Sequence, residues 1–361
     1  MTTSHSKLNL LKLTIIAFVC ILVLSSCQKQ NFFTGEADFK IIYMSQRTEN
    51  SQHWHLYMMN KNGSNQERIT DSTINCSSKP ILSHSGKTIL FVHYTEEYPN
   101  QLLMIDIDGT NLKLIDQDVQ YCGSPSWTND DSKILYSKRR DSMSTERDIV
   151  LYDIASGAKI HLTYFGDNYS AKMLLNESII YCHSIDIFTS NVYNMNMDGT
   201  DKRLLIANAC NPTPSPDNTM FAYQARDSER STQIFTAMID GSDQKMLTSS
   251  HSSDVYPGWP PDGNHSPVWT LDSKNIVFVS WEDSDAEIHI MDWDGNNNTK
   301  LTKTDHRDEY PSISPDGSMI LFSSKRKIES SSEIYTMTLK GNRQKALSKN
   351  PKGDIKPIAI Y

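Results

Sequence analysis

Two short segments of the sequence carry histidine, carboxylate and aromatic side chains in the same order. They read HSSDVYP over residues 251–257 and HRDEYP over residues 306–311, and the first continues as GWPPDG before the next histidine. Histidine and carboxylate groups can hold a metal ion or transfer protons, while tyrosine and tryptophan anchor bound partners. The candidate residues for such a site are His251, Asp254, Tyr256, Trp259, His265, His306, Asp308, Glu309 and Tyr310.

The second segment opens a stretch of four short apolar runs separated by turn residues. Residues 310–314, 320–323 and 333–337 precede a short run that ends at Leu347, and the turn sequences PDG and KG interrupt the series. Runs of this length, rich in Ile, Tyr and Phe, predict β-strands rather than helices. One four-stranded unit cannot bury its apolar faces alone, which predicts that the unit is repeated.

The unit recurs from residue 39 to residue 361. Its second hairpin has glycine in every copy, at spacings of 46, 48, 42, 42, 54 and 46 residues; these are Gly63, Gly109, Gly157, Gly199, Gly241, Gly295 and Gly341. The first copy begins at its second strand, and residues 354–361 form a surplus first strand. The pattern predicts an all-β propeller of seven four-stranded antiparallel blades, closed by the C-terminal strand; six or eight blades are the alternatives.

The repeat also resembles a known family. Residues 311–324 follow the pattern P-x-x-S-P-D-G-x-x-I-x-F-x-S, and the repeat continues with E-I-Y-x-M, D-G and L-T. This order of motifs is similar to the TolB-type, WD40-like propeller repeat. The resemblance covers residues 39–361 and implies the fold alone, because this repeat serves unrelated functions. TolB carries a further domain before its propeller, where this sequence has only residues 28–38, so the resemblance does not imply the partners of TolB.

Residues 1–27 are predicted to be a lipoprotein signal peptide, and residues 28–38 a short tether before a single propeller domain. Two lysines precede the apolar run of residues 13–24, which ends Leu-Ser-Ser-Cys and resembles the bacterial lipobox. Several acyl chains on Cys27 would anchor the protein stably. Because Gln28 follows instead of Asp, we expect the outer membrane, facing the periplasm. The alternative is an ordinary secretory signal with a chance cysteine.

The chain beyond the signal is acidic. Residues 1–27 hold two lysines and no acidic residue, which leaves 33 basic against 43 acidic residues and a formal charge of −10. Nucleic-acid binding needs a basic surface, so it is not expected. We expect a monomer that contacts the membrane only through its lipid.

Loop lengths predict where a partner binds. Connections from the second to the third strand, and from blade to blade, are long, whereas the other turns are tight. The long connections emerge on one face, and binding residues favour variable loops on a rigid scaffold. The candidate residues belong to this long-loop face. Alternatively, Asp254 and Asp308 cap their own turns and the tyrosines pack between blades.

The remaining motifs are weak. Cys76 and Cys122 fall in neighbouring blades and are a possible disulfide, although free thiols are the preferred interpretation. The acidic hairpins at residues 106–109 and 292–295 lack the later ligands of a calcium loop. The sequence has no Gly-x-Ser-x-Gly, no His-x-x-x-His and no phosphate-binding glycine loop. No catalytic residue, metal or cofactor is predicted.

Together these features favour a non-enzymatic scaffold that binds an envelope protein or a small ligand at its long-loop face. The alternative is a metal-dependent enzyme of small carbohydrates resembling oligogalacturonate lyase, which is also a seven-bladed propeller. That enzyme would need several histidines on one metal, and the spacing of His251, His265 and His306 matches no such motif.

Overall fold

The computed structural model describes residues 38–47, 53–94, 96, 100–119, 125–141, 144–186, 189–228, 231–249, 263–281, 285–326 and 331–361. Residues 38–361 form one compact unit. All regular structure in these residues is β-strand, arranged as seven antiparallel sheets of four strands each. No helix of a length and apolarity suited to crossing a bilayer occurs among them.

The first four blades follow the predicted repeat. From inner to outer strand, blade 1 holds β28 (Asp354–Ile360), β1 (Lys40–Ser45), β2 (His55–Asn60) and β3 (Glu67–Arg68), and blade 2 holds β4 (Ile81–Leu82), β5 (Thr88–His93), β6 (Gln101–Asp106) and β7 (Lys113–Asp116). Blade 3 holds β8 (Ser126–Trp127), β9 (Lys133–Arg139), β10 (Arg147–Asp153) and β11 (Lys159–His161). Blade 4 holds β12 (Asp167–Met173), β13 (Ser178–Ser184), β14 (Ser190–Asn196) and β15 (Arg203–Ile206).

Three further blades complete the ring. Blade 5 holds β16 (Ala209–Pro214), β17 (Met220–Arg226), β18 (Thr232–Met238) and β19 (Lys245–Met246). Blade 6 holds β20 (Asn264–Trp269), β21 (Asn275–Trp281), β22 (Ala286–Asp292) and β23 (Thr299–Lys300). Blade 7 holds β24 (Asp308–Ile313), β25 (Met319–Ser324), β26 (Glu333–Thr338) and β27 (Lys345–Ala346). The prediction of seven blades is confirmed.

The ring is closed as the sequence predicts. Strand β28 pairs antiparallel with β1, so that Ile360 lies opposite Lys40 and Asp354 lies opposite Ser45. Blade 1 is thus built from both ends of the propeller. The inner strands of all seven blades surround a central channel.

The core lies between the blades and is built mainly from the second strands. Each of these strands buries an aromatic ring at the same repeat position, with no more than 3% of the residue exposed; the rings belong to Tyr43, Phe91, Tyr136, Tyr181, Tyr223, Phe278 and Phe322. Alternate residues on either side pack against neighbouring blades, as in the cluster shared by blades 1 and 2. This packing fixes the register of the strands that carry the candidate site.

In six of the seven blades the repeated hairpin glycine closely approaches the preceding blade, and Gly157 of blade 3 is the exception. Gly63 in blade 1 has φ +89°, and a Cβ built on it would lie 2.3 Å from the carbonyl oxygen of Leu347 in blade 7. The same contact recurs between Gly109 and Ile69. Glycine is therefore required both for its backbone conformation and for the close approach of the neighbouring blade.

Polar residues extend the inner strand of blade 7 beyond the apolar run. The strand begins at Asp308, because Asp308 and Glu309 pair with Ser324 and Ser323 before a bulge at Tyr310. Tyr310 has φ +57°, and equivalent bulges occur at other inner strands. The bulge places the side chains around it at the start of the channel.

Candidate functional site

The joint between blades 6 and 7 contains a buried glutamate that the sequence interpretation missed. Glu287 lies near the start of β22 and is 3% exposed. The hydroxyl of Thr302 accepts the N–H of Ile288 at 2.9 Å and donates to the Glu287 carboxylate. The other carboxylate oxygen accepts the N–H of Thr304 at 2.7 Å. Glu287 is thus held in place by the segment that leads into blade 7.

Asp308 is a second buried carboxylate in this joint. It has no solvent exposure, and its Oδ1 has no hydrogen-bond partner among the described residues. Its Oδ2 lies 3.4 Å from the hydroxyl of Thr304. Burial raises the pKa of Asp308 to about 6, and the negative charge of Glu287 acts in the same direction, against the opposing charge of Arg326. Asp308 therefore holds its proton well above the usual range of an aspartate.

Other joints place different partners at the corresponding positions. Between blades 5 and 6, the amide of Asn264 donates to the amide oxygen of Gln233 at 2.9 Å. At the start of blade 1, Asp354 corresponds in position to Asp308 and accepts a hydrogen bond of 2.7 Å from Arg47 of the same blade. The joint of blades 6 and 7 instead brings two carboxylates together, which costs free energy unless a proton or cation is bound.

A pocket of about 370 Å³ opens beside Glu287 on the long-loop face. It is lined by Asp285, Glu287, Lys300, Lys303, Thr304 and Asp305. The ammonium group of Lys300 lies 3.7 Å from the Glu287 carboxylate. Because both charge signs line the pocket, it suits polar or charged groups of a partner rather than an apolar ligand.

Beside this joint, Arg307 of blade 7 stacks on the ring of Trp281 of blade 6, and His265 is hydrogen-bonded to the same indole. The indole N–H of Trp281 donates to His265 Nε2 at 2.9 Å, and His265 Nδ1 lies 2.9 Å from the hydroxyl of Ser266. The guanidinium carbon of Arg307 lies 4.8 Å from the centroid of the Trp281 ring. Burial lowers the pKa of His265 to about 4, so this imidazole is neutral at pH 7 with its proton on Nδ1. Both of its nitrogens are already engaged.

Glu309 and Tyr310 lie next to this stack, on the inner strand of blade 7. Burial raises the pKa of Glu309, and the positive charge of Arg307 opposes that shift. Tyr310 is 36% exposed, and the ammonium group of Lys356 lies 5.6 Å from its ring centroid. A partly exposed tyrosine beside cationic groups is typical of binding surfaces.

The family follows from a comparison with known proteins. The sequence model described as the TolB beta propeller domain matches the chain twice, over residues 29–265 and 97–359. The chain belongs to the TolB β-propeller family. Between them the two matches reach both the first and the last blade.

Individual members and structures are more distant. The Tol-Pal system protein TolB of Francisella tularensis is 24% identical over 229 residues, which cover 62% of this chain and 50% of that protein. The crystal structure of TolB from Acinetobacter baumannii superposes with a TM-score of 0.54 at 17% identity, covering 89% of this chain and 82% of that chain. A structure of oligogalacturonate lyase in complex with manganese gives a TM-score of 0.60 at 15% identity, covering 79% and 83%.

The chain spans half the length or less of the curated relatives that it matches. The likenesses to solved structures show the shared fold.

The structure brings some of the predicted residues together. His265, Asp308, Glu309 and Tyr310 lie at the starts of blades 6 and 7. His306 is half-buried, and its backbone carbonyl accepts a hydrogen bond of 2.7 Å from Thr304. The other predicted residues, together with the signal cysteine, lie outside the described residues; they are His251, Asp254, Tyr256, Trp259 and Cys27.

The predicted cysteine pair is described only in part. Cys76 is a buried free thiol, and Cys122 lies outside the described residues. Within the described residues, no three His, Cys, Asp or Glu side chains are placed to hold one metal ion.

Glu287, Trp281 and Arg307 contribute to the site although the sequence interpretation did not select them. Glu287 could have been found by aligning the repeats, because it precedes the buried Ile288 as Gln233 precedes Ile234. In both blades the threonine of the L-T segment bonds to this residue. No comparable signal identifies Trp281 and Arg307, whose contact depends on how two blades meet.

Proposed function

We propose that this protein is a lipid-anchored, non-enzymatic binding module of the bacterial cell envelope, and that it binds an envelope protein through the starts of blades 6 and 7. The observation that carries the proposal is the exposed pair of Arg307 and Tyr310 beside a pocket of mixed charge on the long-loop face, with Arg307 supported by the buried ring of Trp281. Aromatic and arginine side chains dominate the binding energy of protein interfaces, and rigid aromatic rings lose little entropy on binding.

Membership of the TolB family supports this assignment. One relative is named as a protein of the Tol-Pal system. The lipid anchor rests on the sequence Leu-Ser-Ser-Cys that ends at Cys27, and the outer-membrane address rests on Gln28. The acidic charge of the chain argues against nucleic acid as the partner. We propose a monomer that exposes the long-loop face to the periplasm.

Site-specific photocross-linking tests the binding face. A cross-linking amino acid replaces Tyr310 in one variant and Trp293 in another, since the two side chains are 36% and 45% exposed. Trp293 lies in the hairpin after β22, at the opposite end of the blades. We expect a discrete adduct with an envelope protein from position 310 and none from position 293, and an Arg307→Ala change should weaken the adduct at position 310.

Adducts of equal yield from both positions, with folding preserved, would contradict the proposed face.

Anchoring is tested separately by Cys27→Ala. The change should leave the precursor unprocessed by the lipoprotein signal peptidase or release the protein from the membrane fraction. A processed, membrane-bound variant of unchanged mobility would mean that Cys27 is not lipidated.

The carbohydrate-enzyme alternative remains a prediction of the sequence. It needs several histidines on one metal, and the hydrogen bonds of His265 leave neither of its nitrogens available in this arrangement. The metal content of the purified protein, together with an assay on oligogalacturonate, distinguishes this enzyme from the binding module.

A further inference from the structure

Two histidines lie side by side where the long connection between the second and third strands of blade 1 ends. His53 is exposed, whereas His55 opens β2 and has no solvent exposure. One residue separates them, and residues at this spacing in an extended segment point to the same side. The centroids of their rings are 6.4 Å apart. The pair therefore forms a two-imidazole cluster on the long-loop face, in a different blade from the proposed partner site.

His55 lacks the hydrogen bonds that a buried polar side chain normally makes. Both of its ring nitrogens are buried without a partner among the described residues. The same repeat position holds Gln233 in blade 5 and Glu287 in blade 6, and there the threonine of the L-T segment donates to the side chain. In blade 1 the corresponding hydroxyl of Thr70 accepts the N–H of Leu56 at 3.1 Å but does not bond to the imidazole. An unpaired buried group costs stability, so a ligand that engages it is favoured.

The backbone between the two histidines is held in place. The N–H of Trp54 donates to the side-chain oxygen of Asn75 at 3.0 Å, and the carbonyl of Trp54 accepts the N–H of Cys76 at 2.7 Å. An imidazole nitrogen lies about 2.0–2.1 Å from a bound zinc ion, and the ring centre lies roughly 1 Å further, so two rings on one ion have centroids up to about 6 Å apart. A small rotation of the exposed His53 ring would bring both histidines to one ion.

The protonation of His55 suits a metal ligand. Burial lowers its pKa, and the positive charge of Arg68 and that of protonated His53 act in the same direction, against the opposing effect of Asp71. His55 is therefore neutral at pH 7. Neutral imidazole is the form that binds metal ions.

Two neighbouring side chains are already engaged. Nδ1 of His93 accepts the N–H of Asn75 at 3.0 Å, which places the proton of this imidazole on Nε2. The carboxylate of Asp71 accepts the N–H and the hydroxyl of Thr73 at 2.7 and 2.5 Å. The protein ligands would therefore be two histidines, with water in the remaining positions. Two ligands are consistent with the absence of a three-residue metal set from the described part of the chain.

We propose that His53 and His55 chelate a divalent transition-metal ion, such as Zn²⁺, Ni²⁺ or Cu²⁺, on the long-loop face of blade 1. Imidazole suits these ions, whereas Mg²⁺ and Ca²⁺ prefer oxygen ligands. The ion gives one nitrogen of His55 the partner that it lacks. Each imidazole has two nitrogens, so His53 can keep an existing contact while it binds the ion. The site goes beyond the proposed partner binding and does not depend on it.

Isothermal titration calorimetry on the purified full chain in detergent tests the site. The protein carries no histidine tag and is first stripped of metal with EDTA, and ZnCl₂, NiCl₂ and MgCl₂ are the probes. We expect saturable binding of Zn²⁺ and Ni²⁺, and no binding of Mg²⁺ at the same concentrations. The absence of saturable binding of both transition ions, or equal binding of Mg²⁺, would overturn the proposal.

Two substitutions remove the ligands one at a time. His53→Ala changes an exposed residue, and His55→Gln introduces the residue that blade 5 has at this position. Each should weaken Zn²⁺ binding at least about tenfold, since even residues that only orient a metal ligand contribute that much. His84→Ala, at an exposed histidine of blade 2, is the control and should leave the affinity unchanged. Equal Zn²⁺ affinities of the wild type and His53→Ala would place the ion elsewhere and refute the site.

A measurement on the unmutated chain covers the case in which His55→Gln fails to fold. In NMR spectra of protein with ¹⁵N-labelled histidine, Zn²⁺ should shift the ring signals of His53 and His55 and leave those of His84 unchanged. The spectrum of His53→Ala identifies the signal of His53. A His53 signal that does not move at saturating Zn²⁺ would contradict the site. The same variant separates this ion from the metal of the carbohydrate-enzyme alternative, which would stay bound when His53 is replaced.

Discussion

The guanidinium group of Arg47 donates a hydrogen bond of 2.7 Å to the buried carboxylate of Asp354. Arg47 follows β1 and Asp354 opens β28, so this ion pair joins the two strands that close the ring. The same guanidinium lies 5.6 Å from the ring centroid of Tyr43 and 5.4 Å from that of Tyr57. The closure therefore combines backbone pairing with one buried charge pair.

Removal of one partner should destabilise the ring. Arg47→Met leaves the carboxylate of Asp354 buried without its cation, and we expect a loss of about 3 kcal/mol in the free energy of unfolding. Urea unfolding measures this loss. Arg203→Met is the matched control, because its ion pair with Asp201 is exposed, and it should cost less than about 1 kcal/mol. Equal losses would show that the closing pair contributes no more than a surface contact.

Deletion of residues 354–361 should have a larger effect. It removes the inner strand of blade 1 and leaves β1 as an unpaired sheet edge. We expect the truncated protein to aggregate and to lose cooperative unfolding, measured by light scattering and calorimetry. A truncated protein that melts like the full chain would refute closure by β28 as the determinant of stability.

The blade contacts predict unequal costs for two glycine substitutions. Gly63→Ala combines a positive φ with a Cβ only 2.3 Å from a backbone oxygen, whereas Gly86→Ala, at φ +71°, meets no atom within 4 Å. The strain of a left-handed residue alone is about 1–2 kcal/mol. We expect Gly86→Ala to lose about that much stability and Gly63→Ala clearly more, in chemical denaturation. If the two losses are equal, backbone strain and not the blade contact explains the repeated glycine.

The carboxylate pair predicts a pH dependence of stability. Because the pKa of Asp308 is about 6 in the folded protein and lower in the unfolded chain, its contribution to stability is full below about pH 4 and is lost as the pH rises through about 6. The loss is about 2–3 kcal/mol. Asp308→Asn should abolish it and make the protein more stable at pH 7.5, as measured by urea unfolding from pH 4 to 7.5.

Asp294→Asn, in the exposed hairpin after β22, provides the control and should keep the wild-type pH profile. Glu287 and Arg326 are the charged groups acting on Asp308, and both remain in the Asp308→Asn variant. If Asp308→Asn retains the pH-dependent loss, another group in the joint carries the proton.

The sequence predicts the blades well because their determinants are local. The apolar and aromatic pattern of each second strand and the hairpin glycine depend on a few neighbouring residues, and they identify both the repeat and its closure. The candidate site depends on contacts between blades. The stack of Arg307 on Trp281 and the approach of Glu287 to Asp308 join residues that no local pattern relates.

The bulges of the inner strands were also hidden from the sequence. Tyr310 and Lys356 have φ values of +57° and +55°, which residues other than Gly and Asn seldom adopt. Ser170 adopts the same conformation at the equivalent bulge of blade 4, where alanine follows, so the bulge and not the following proline accounts for it. The contact between these two side chains therefore required the three-dimensional structure.

Because β28 closes the ring, the chain could begin at a different blade and still form the same fold. Residues 40 and 360 lie side by side in blade 1. A linker between them, with a new opening in any of the blade-to-blade connections, would give a circularly permuted protein with the same seven sheets. Each blade would then be built from consecutive residues, and no blade would combine strands from the two ends of the chain. The ring would become a set of equivalent units whose order of synthesis can be chosen.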